Sequence, residues 1–191
     1  MKVCIIMGSP RPDGNTATYT SYFRAKLENS GIAVSYITLK DKKIACCLEC
    51  YHCQNVEGRH GCAISDDMES ITDEILSSDC LVLATPLFSW YCTGEMKILL
   101  DRLYGMDQYH GTATGNLWNG KRLALITTHG YGRSYAAEPF ETGMKRFCEH
   151  SKLHYLGMLS MRDGDDDWKA PFLTAEAKQS AEAFAVEMME S

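Results

Sequence analysis

Lys2-Val3-Cys4-Ile5-Ile6-Met7-Gly8-Ser9-Pro10-Arg11-Pro12-Asp13-Gly14-Asn15-Thr16 is the stretch whose reading decides the fold. Its first six residues are a short, largely apolar run of the kind that makes a buried strand. Gly8 to Thr16 then breaks the run with two glycines, two prolines and small polar residues, the composition of a turn. From Thr16 the period becomes helical, with Tyr19, Tyr22, Phe23 and Leu27 stepping by three and four until Asn29-Ser30-Gly31. Strand, glycine loop and amphipathic helix make the opening of a βαβ unit.

The alternation continues outward from there. Ile32 to Leu39 reads as a second strand, Cys80 to Thr85 as a third stopped by Pro86, Lys121 to Thr128 as a fourth and Leu153 to Met161 as a fifth. Between them, helices are expected from Asp67, with Asp66 and Glu69 at capping-box spacing, from Thr93 to Tyr104, and from Glu138 to His150. Thr174 caps a last helix with Ala177, Ala181, Phe184 and Met188 inward. Five strands alternating with five helices predict a parallel sheet covered on both faces, the α/β class. In such folds ligands sit at the carboxyl ends of the strands, near the point where strand order reverses.

Composition narrows the function. The 191 residues are 45% apolar and 23% charged, and 19 basic against 25 acidic side chains leave a net charge of −6. That fits one domain over residues 1–191 and argues against nucleic acid, whose phosphates need a basic face. No apolar run approaches the length of a membrane span, and the Met1–Met7 stretch is too short for a signal peptide, so a cytoplasmic protein is expected.

The loop after the first strand suits an anion. Helix-start N–H groups and the helix dipole favour a phosphate there. Ser9, Asn15 and Thr16 add side-chain donors, and Arg11 adds a charged fork. The spacing is neither G-x-G-x-x-G nor G-x-x-x-x-G-K-[ST], so neither a dinucleotide fingerprint nor a nucleotide P-loop is present. A plain polar turn is the alternative reading.

Gly8-Ser9-Pro10-Arg11 with Asn15-Thr16 resembles the flavin-phosphate loop of the NADPH-dependent FMN reductases. Asp66-Asp67-Met68, Thr85-Pro86-Leu87-Phe88-Ser89, Lys97 and Asp101-Arg102 extend the likeness along most of the chain. The resemblance implies a flavodoxin-like three-layer sandwich with strand order 2-1-3-4-5, and FMN held by its phosphate on Ser9, Arg11, Asn15 and Thr16. It places the isoalloxazine against Pro86, Leu87, Phe88, Ser89 and Trp90, and further flavin contacts at Thr128, His129, Gly130 and Gly132. Phe88, Trp90 and Tyr91 suit a planar heterocycle, or else are partly core. His129 is a candidate proton donor or ring hydrogen-bonder, against the commoner reading of a solvated loop histidine. No Ser-His-Asp order or nucleophile elbow is visible.

Nine cysteines are the anomaly, and being odd in number they cannot all pair within the chain. Cys4, Cys80, Cys92 and Cys148 are scattered, whereas five lie between Cys46 and Cys62 on an insertion at about 40–65. Cys47, Cys50 and Cys53 recur at two-residue intervals, Cys62 follows, and Cys46 breaks the rhythm. Four soft thiolates suit a [4Fe–4S] cluster or zinc, and a loop of free thiols without metal is the third reading. The motif resembles that of the iron–sulfur flavoproteins, relatives of the same reductases, in which the cluster lies near the flavin and passes electrons to it. Asp163, Asp165, Asp166 and Asp167 lack EF-hand spacing and read as a solvated loop. His150 and His154 straddle a helix end, which argues against a shared metal.

The resemblance thus implies an FMN-dependent NAD(P)H oxidoreductase reducing a small acceptor such as a flavin or quinone. The alternative is an electron carrier that exchanges electrons with ferredoxin through the cluster. Relatives usually form homodimers or tetramers, and a homo-oligomer is the expectation.

Overall fold

A computed structural model describes residues 1–163 and 174–191. The chain runs β1 (Lys2–Met7), α1 (Asn15–Asn29), β2 (Ala33–Thr38), α2 (Met68–Leu76), β3 (Cys80–Pro86) and α3 (Gly94–Arg102). It continues through β4 (Asp107–Gln108), β5 (Gly115–Asn116), β6 (Arg122–His129), the single-turn α4 (Arg133–Ala136), α5 (Glu138–His150), β7 (His154–Arg162) and α6 (Ala175–Glu190). Five strands pair in parallel in the order β2-β1-β3-β6-β7. Counting only the strands of this sheet, that is the expected 2-1-3-4-5, since β4 and β5 form a separate antiparallel pair.

Alternation along the strands sorts the core into two layers. Cys4, Ile6, Leu81, Leu83, Leu123 and Leu125 face α2, α3 and α5. Val3, Ile5, Met7, Val82, Ala84 and Ile126 face α1 and α6. Each strand of the sheet centre is therefore apolar on both faces, which is why it reads as a run and not as an alternation. The strand order reverses around β1, and this opens a crevice at the carboxyl ends of β1 and β3.

The sequence reading omits the short β4, β5 and α4, and it differs further at element ends. α2 is preceded by Asp67, whose side chain makes no cap bond. Asp66 instead accepts from Met68 N at 3.0 Å while pairing elsewhere, and Glu69 is exposed, so the capping box does not form. The third helix stops at Arg102 and tightens into a 3-10 turn over Leu103–Met106, short of Tyr104 as an α-helical end. Thr174 caps α6 as expected, accepting from Ala177 N at 3.1 Å. The acidic residues Asp165, Asp166 and Asp167 lie outside the described residues. No helix among the described residues is long and apolar enough to cross a membrane.

Candidate functional site

The first loop is held from below. Gly8 N donates to Ala84 O at 2.8 Å, and Thr93, the N-cap of α3, donates from its hydroxyl to Gly8 O at 2.7 Å. A Cβ on Gly8 would stand 2.9 Å from Met96 Cε and 3.0 Å from its Cβ, so only glycine lets the chain pass this close to α3. Ser9 is buried, and its hydroxyl accepts from Arg11 N at 3.2 Å, which shapes the turn. Arg11 is exposed. Gly14 precedes α1 and has no side chain with which to cap it, so the first-turn N–H groups have no side-chain acceptor at that position. A helix start in this condition is suited to an anion.

Two of the expected phosphate donors are already engaged. Thr16 points into the fold, its hydroxyl 2.7 Å from that of Thr128, where the loops after β1 and β6 meet. Asn15 donates to Asp163 Oδ1 at 2.8 Å, tying the helix start to the end of β7. The Ser9 hydroxyl is engaged too, donating to Arg11 O at 3.2 Å, which leaves, among the described residues, exposed Arg11 and the bare helix start as the free anion-binding groups.

The loops after β3 and β6 are brought together. Leu87 N donates to Thr128 O at 2.9 Å. Phe88 and Tyr91 exchange both backbone hydrogen bonds, at 2.8 and 3.0 Å, around Ser89 (φ 51°) and Trp90 (φ 64°). Two successive left-handed residues match the twist of a type I′ turn, yet neither is glycine, and strain of this kind concentrates at functional sites. A cavity of about 90 Å³ is lined by Leu87, Ser89, Trp90, His129, Gly130, Tyr131 and Ala136. Phe88 is more than half exposed, Trp90 stacks parallel to Tyr131 with centroids 6.4 Å apart, and Tyr135 meets both edge-on. Tyr91 instead packs edge-on against Phe140 at 5.2 Å, as core. Gly132 precedes α4 at the far side of the same loop.

His129 is buried, and both ring nitrogens are used. Nδ1–H donates to Tyr131 O at 2.6 Å, a carbonyl that can only accept, which leaves Nε2 to accept from the Ser160 hydroxyl at 2.7 Å. Burial pushes the imidazole below its ordinary range, outweighing the Tyr131 bond. In this geometry His129 is a neutral strut that shapes the Gly130–Tyr131 turn.

The cysteines divide cleanly. Cys4, Cys80, Cys92 and Cys148 are buried in the core, where desolvation pushes their thiols up to about 11, 12, 12 and 12. Such thiols are inert packing. Cys47, Cys50, Cys53 and Cys62 all line one cavity of about 560 Å³, walled also by the C-terminal end of α3, Tyr104 and the end of α5. Burial raises the Cys53 thiol, and its Cys62, Cys47 and Cys50 neighbours raise it further. Cys46 is exposed and lines no part of this cavity. Among the described residues, no three Cys, His, Asp or Glu side chains converge tightly enough to hold a single metal ion. Four thiols spread around one cavity fit the donor set of an iron–sulfur cluster, whose ligands stand at the corners of a cage.

Side chains without any sequence motif build this cavity. Gln54 is fully buried; Nε2 donates to Asp107 O at 3.0 Å, and Oε1 accepts from Tyr109 N and His110 N at 3.0 and 3.2 Å. Gln108 Nε2 donates to the carbonyls of Cys53, Val56 and Arg59 at 3.2, 2.5 and 3.0 Å. Gly105 lets the loop approach: a Cβ there would lie 2.8 Å from the His60 ring and 3.0 Å from Cys53 Cβ. α3 links the two regions. It begins where Thr93 holds Gly8 and ends in the cysteine cavity at Leu100, Asp101 and Arg102, nine residues or about 13 Å away.

A five-stranded parallel sheet of this order, with an anion-ready helix start after β1 and an aromatic cleft over β3 and β6, defines a flavodoxin-like α/β protein. The chain belongs to the NADPH-dependent FMN reductase family, whose model matches residues 1–147; it is thereby an FMN-dependent NAD(P)H oxidoreductase by family. An iron–sulfur flavoprotein of Methanocaldococcus jannaschii is 36% identical over 142 residues, 69% of this chain and 70% of that protein. A second iron–sulfur flavoprotein of the same organism is 34% identical over 102 residues, 53% of this chain and 51% of that protein. An NAD(P)H:quinone oxidoreductase from Methanothermobacter marburgensis has the same fold, with a TM-score of 0.76 at 17% identity over 98% of this chain and 96% of that one.

Proposed function

We propose that this chain is an iron–sulfur flavoprotein with oxidoreductase activity, binding FMN over the loops after β1, β3 and β6 and a [4Fe–4S] cluster on Cys47, Cys50, Cys53 and Cys62. The observation that carries it is the cavity of about 560 Å³ that all four of these cysteines line, while Cys46 does not. Bound FMN would supply the hydride and electron chemistry, and a cluster on the four cysteines would supply one-electron transfer. The chain's own part is positional. The α1 start and Arg11 hold the phosphate, Ser89 and Trp90 present backbone groups to the ring edge, and the Trp90–Tyr131–Tyr135 aromatics wall the cleft in which a flat acceptor such as a quinone or free flavin takes its turn. His129 fixes the Gly130–Tyr131 turn that borders this cleft.

The cysteine cavity lies at the far end of α3 from the phosphate loop. This separation favours a cluster that also exchanges electrons outside its own chain, with ferredoxin or with a second copy of the protein. A homodimer or tetramer belongs to this reading.

Anaerobic titration with NADH and NADPH, followed by visible spectroscopy, tests it. Bound flavin should bleach with one or both donors, and added quinone should restore it. Rapid multiple turnover marks the reductase, whereas single-turnover bleaching with fast re-oxidation by ferredoxin marks the carrier. A protein that neither retains nor binds FMN overturns both.

A further inference from the structure

The cysteine loop is closed at its neck by one buried ion pair. Arg102, 1% exposed in its side chain, meets Asp66, 9% exposed, end-on: Nη1 donates to Oδ2 at 2.7 Å and Nη2 to Oδ1 at 3.1 Å. The pair also grips the chain before the first cysteine, Nη1 donating to Ala45 O at 2.8 Å and Asp66 Oδ2 accepting from Ala45 N at 2.9 Å. His60 Nε2–H donates to Arg102 O at 2.6 Å, so the same residue anchors the loop between Cys53 and Cys62. The Arg102 Nε takes no part in the fork to Asp66. Arg102 Nε is buried with no hydrogen-bond partner among the described residues. Arg102 lines the cavity of the four cysteines. Cys62 lines the same cavity; burial works against the guanidinium's charge, and Asp66 and Cys62 favour it.

A buried N–H without an acceptor is rare, and on the wall of a cavity of candidate ligands it marks where an acceptor belongs. We propose that Arg102 is a positioning residue for the cluster: Asp66 aims its guanidinium so that Nε–H donates to the Cys62 sulfur. The proposal rests on the reading of Cys47, Cys50, Cys53 and Cys62 as cluster ligands. It accounts for why the fourth ligand can stand so far along the loop from the first three, since Cys62 is set by α3 and not by the two-residue rhythm. A cationic donor on a ligand sulfur stabilises the extra electron of the reduced cluster and raises its potential. Lysine would keep the charge beside Asp66 but not the fork that leaves Nε–H pointing elsewhere.

Two measurements on the intact 191-residue chain decide it. In anaerobically purified Arg102→Lys, the midpoint potential from an EPR-monitored redox titration should be lower than wild type. In metal-free, 15N-arginine-labelled protein, Cys62→Ala should move the Arg102 Nε–H resonance, a readout that keeps native Arg102 and so stands even where Arg102→Lys does not fold. A loaded Arg102→Lys with the wild-type potential, or a resonance indifferent to Cys62, overturns the role of Arg102 and leaves the cluster reading intact. Wild-type protein that takes up no iron and sulfide overturns the cluster reading itself, and this role with it.

Discussion

Thr93 joins three parts of the molecule through one hydroxyl. It caps α3 by accepting from Met96 N at 3.3 Å and donates to Gly8 O at 2.7 Å, while its own N–H reaches Thr85 Oγ1 at 3.2 Å. Thr93→Ala should lower stability by about 1–2 kcal/mol, the usual loss for an N-cap. Chemical denaturation would read that loss, and a fluorescence titration should show weaker FMN binding because Gly8 is no longer held. Arg11→Ala should act on binding alone, since Arg11 is exposed; one lost charge-assisted hydrogen bond of about 1.5–3 kcal/mol means a dissociation constant raised at least about tenfold. His60 and His129 give a pH prediction. Burial, their largest influence, holds both imidazoles below the ordinary 6.5. The unfolded chain therefore binds more protons than the folded one once pH falls below about 6.5, and stability drops there. Denaturant midpoints taken from about pH 7.5 to 5.5 should decline, and His60→Gln should make the decline shallower.

Among elements, the cysteine loop shows what holds an irregular segment in one shape. It has almost no regular structure of its own, so side chains satisfy its backbone: Gln108 reaches in from outside to the carbonyls of Cys53, Val56 and Arg59, while Gln54, inside the loop, ties it to the backbone of Asp107, Tyr109 and His110. Gln108→Leu should strand three carbonyls, destabilise the protein by about 1–3 kcal/mol and reduce bound iron while every cysteine stays in place. Iron content per chain and a denaturation curve would check both parts. Elements with a period were legible in the sequence: the apolar runs of β1, β3 and β6 and the three-and-four steps of α1 fall where expected to within a residue or two, as does the helix expected over Glu138–His150. The single turn α4 and the two-residue strands β4 and β5 are too short to carry a period. The Ser89-Trp90 turn was hidden because its left-handed residues are not the glycine or asparagine that advertise one. Gln54 and Gln108 belong to no motif. Arg102 had a signal: it stands three residues after Leu99, at the edge of the apolar face of α3, where a charge needs a buried partner.

At the scale of the molecule, α3 separates two chemistries by about 13 Å, its nine-residue length. At its start lies the anion cradle after β1, and at its end the cavity of four thiols. The cysteines, read from spacing alone, left cluster, zinc and bare thiols open. The fold sharpens that choice by lining one cavity with Cys47, Cys50, Cys53 and Cys62 and burying Cys4, Cys80, Cys92 and Cys148 in the core. The two sites are built from different loops, so they should be separable by mutation: Cys50→Ser should lose its iron and keep its flavin. The most direct test is the FMN, iron and acid-labile sulfide content of protein purified and reconstituted without oxygen. The account predicts about one FMN, four irons and four sulfides per chain. A protein carrying its full complement of FMN and no iron would contradict it.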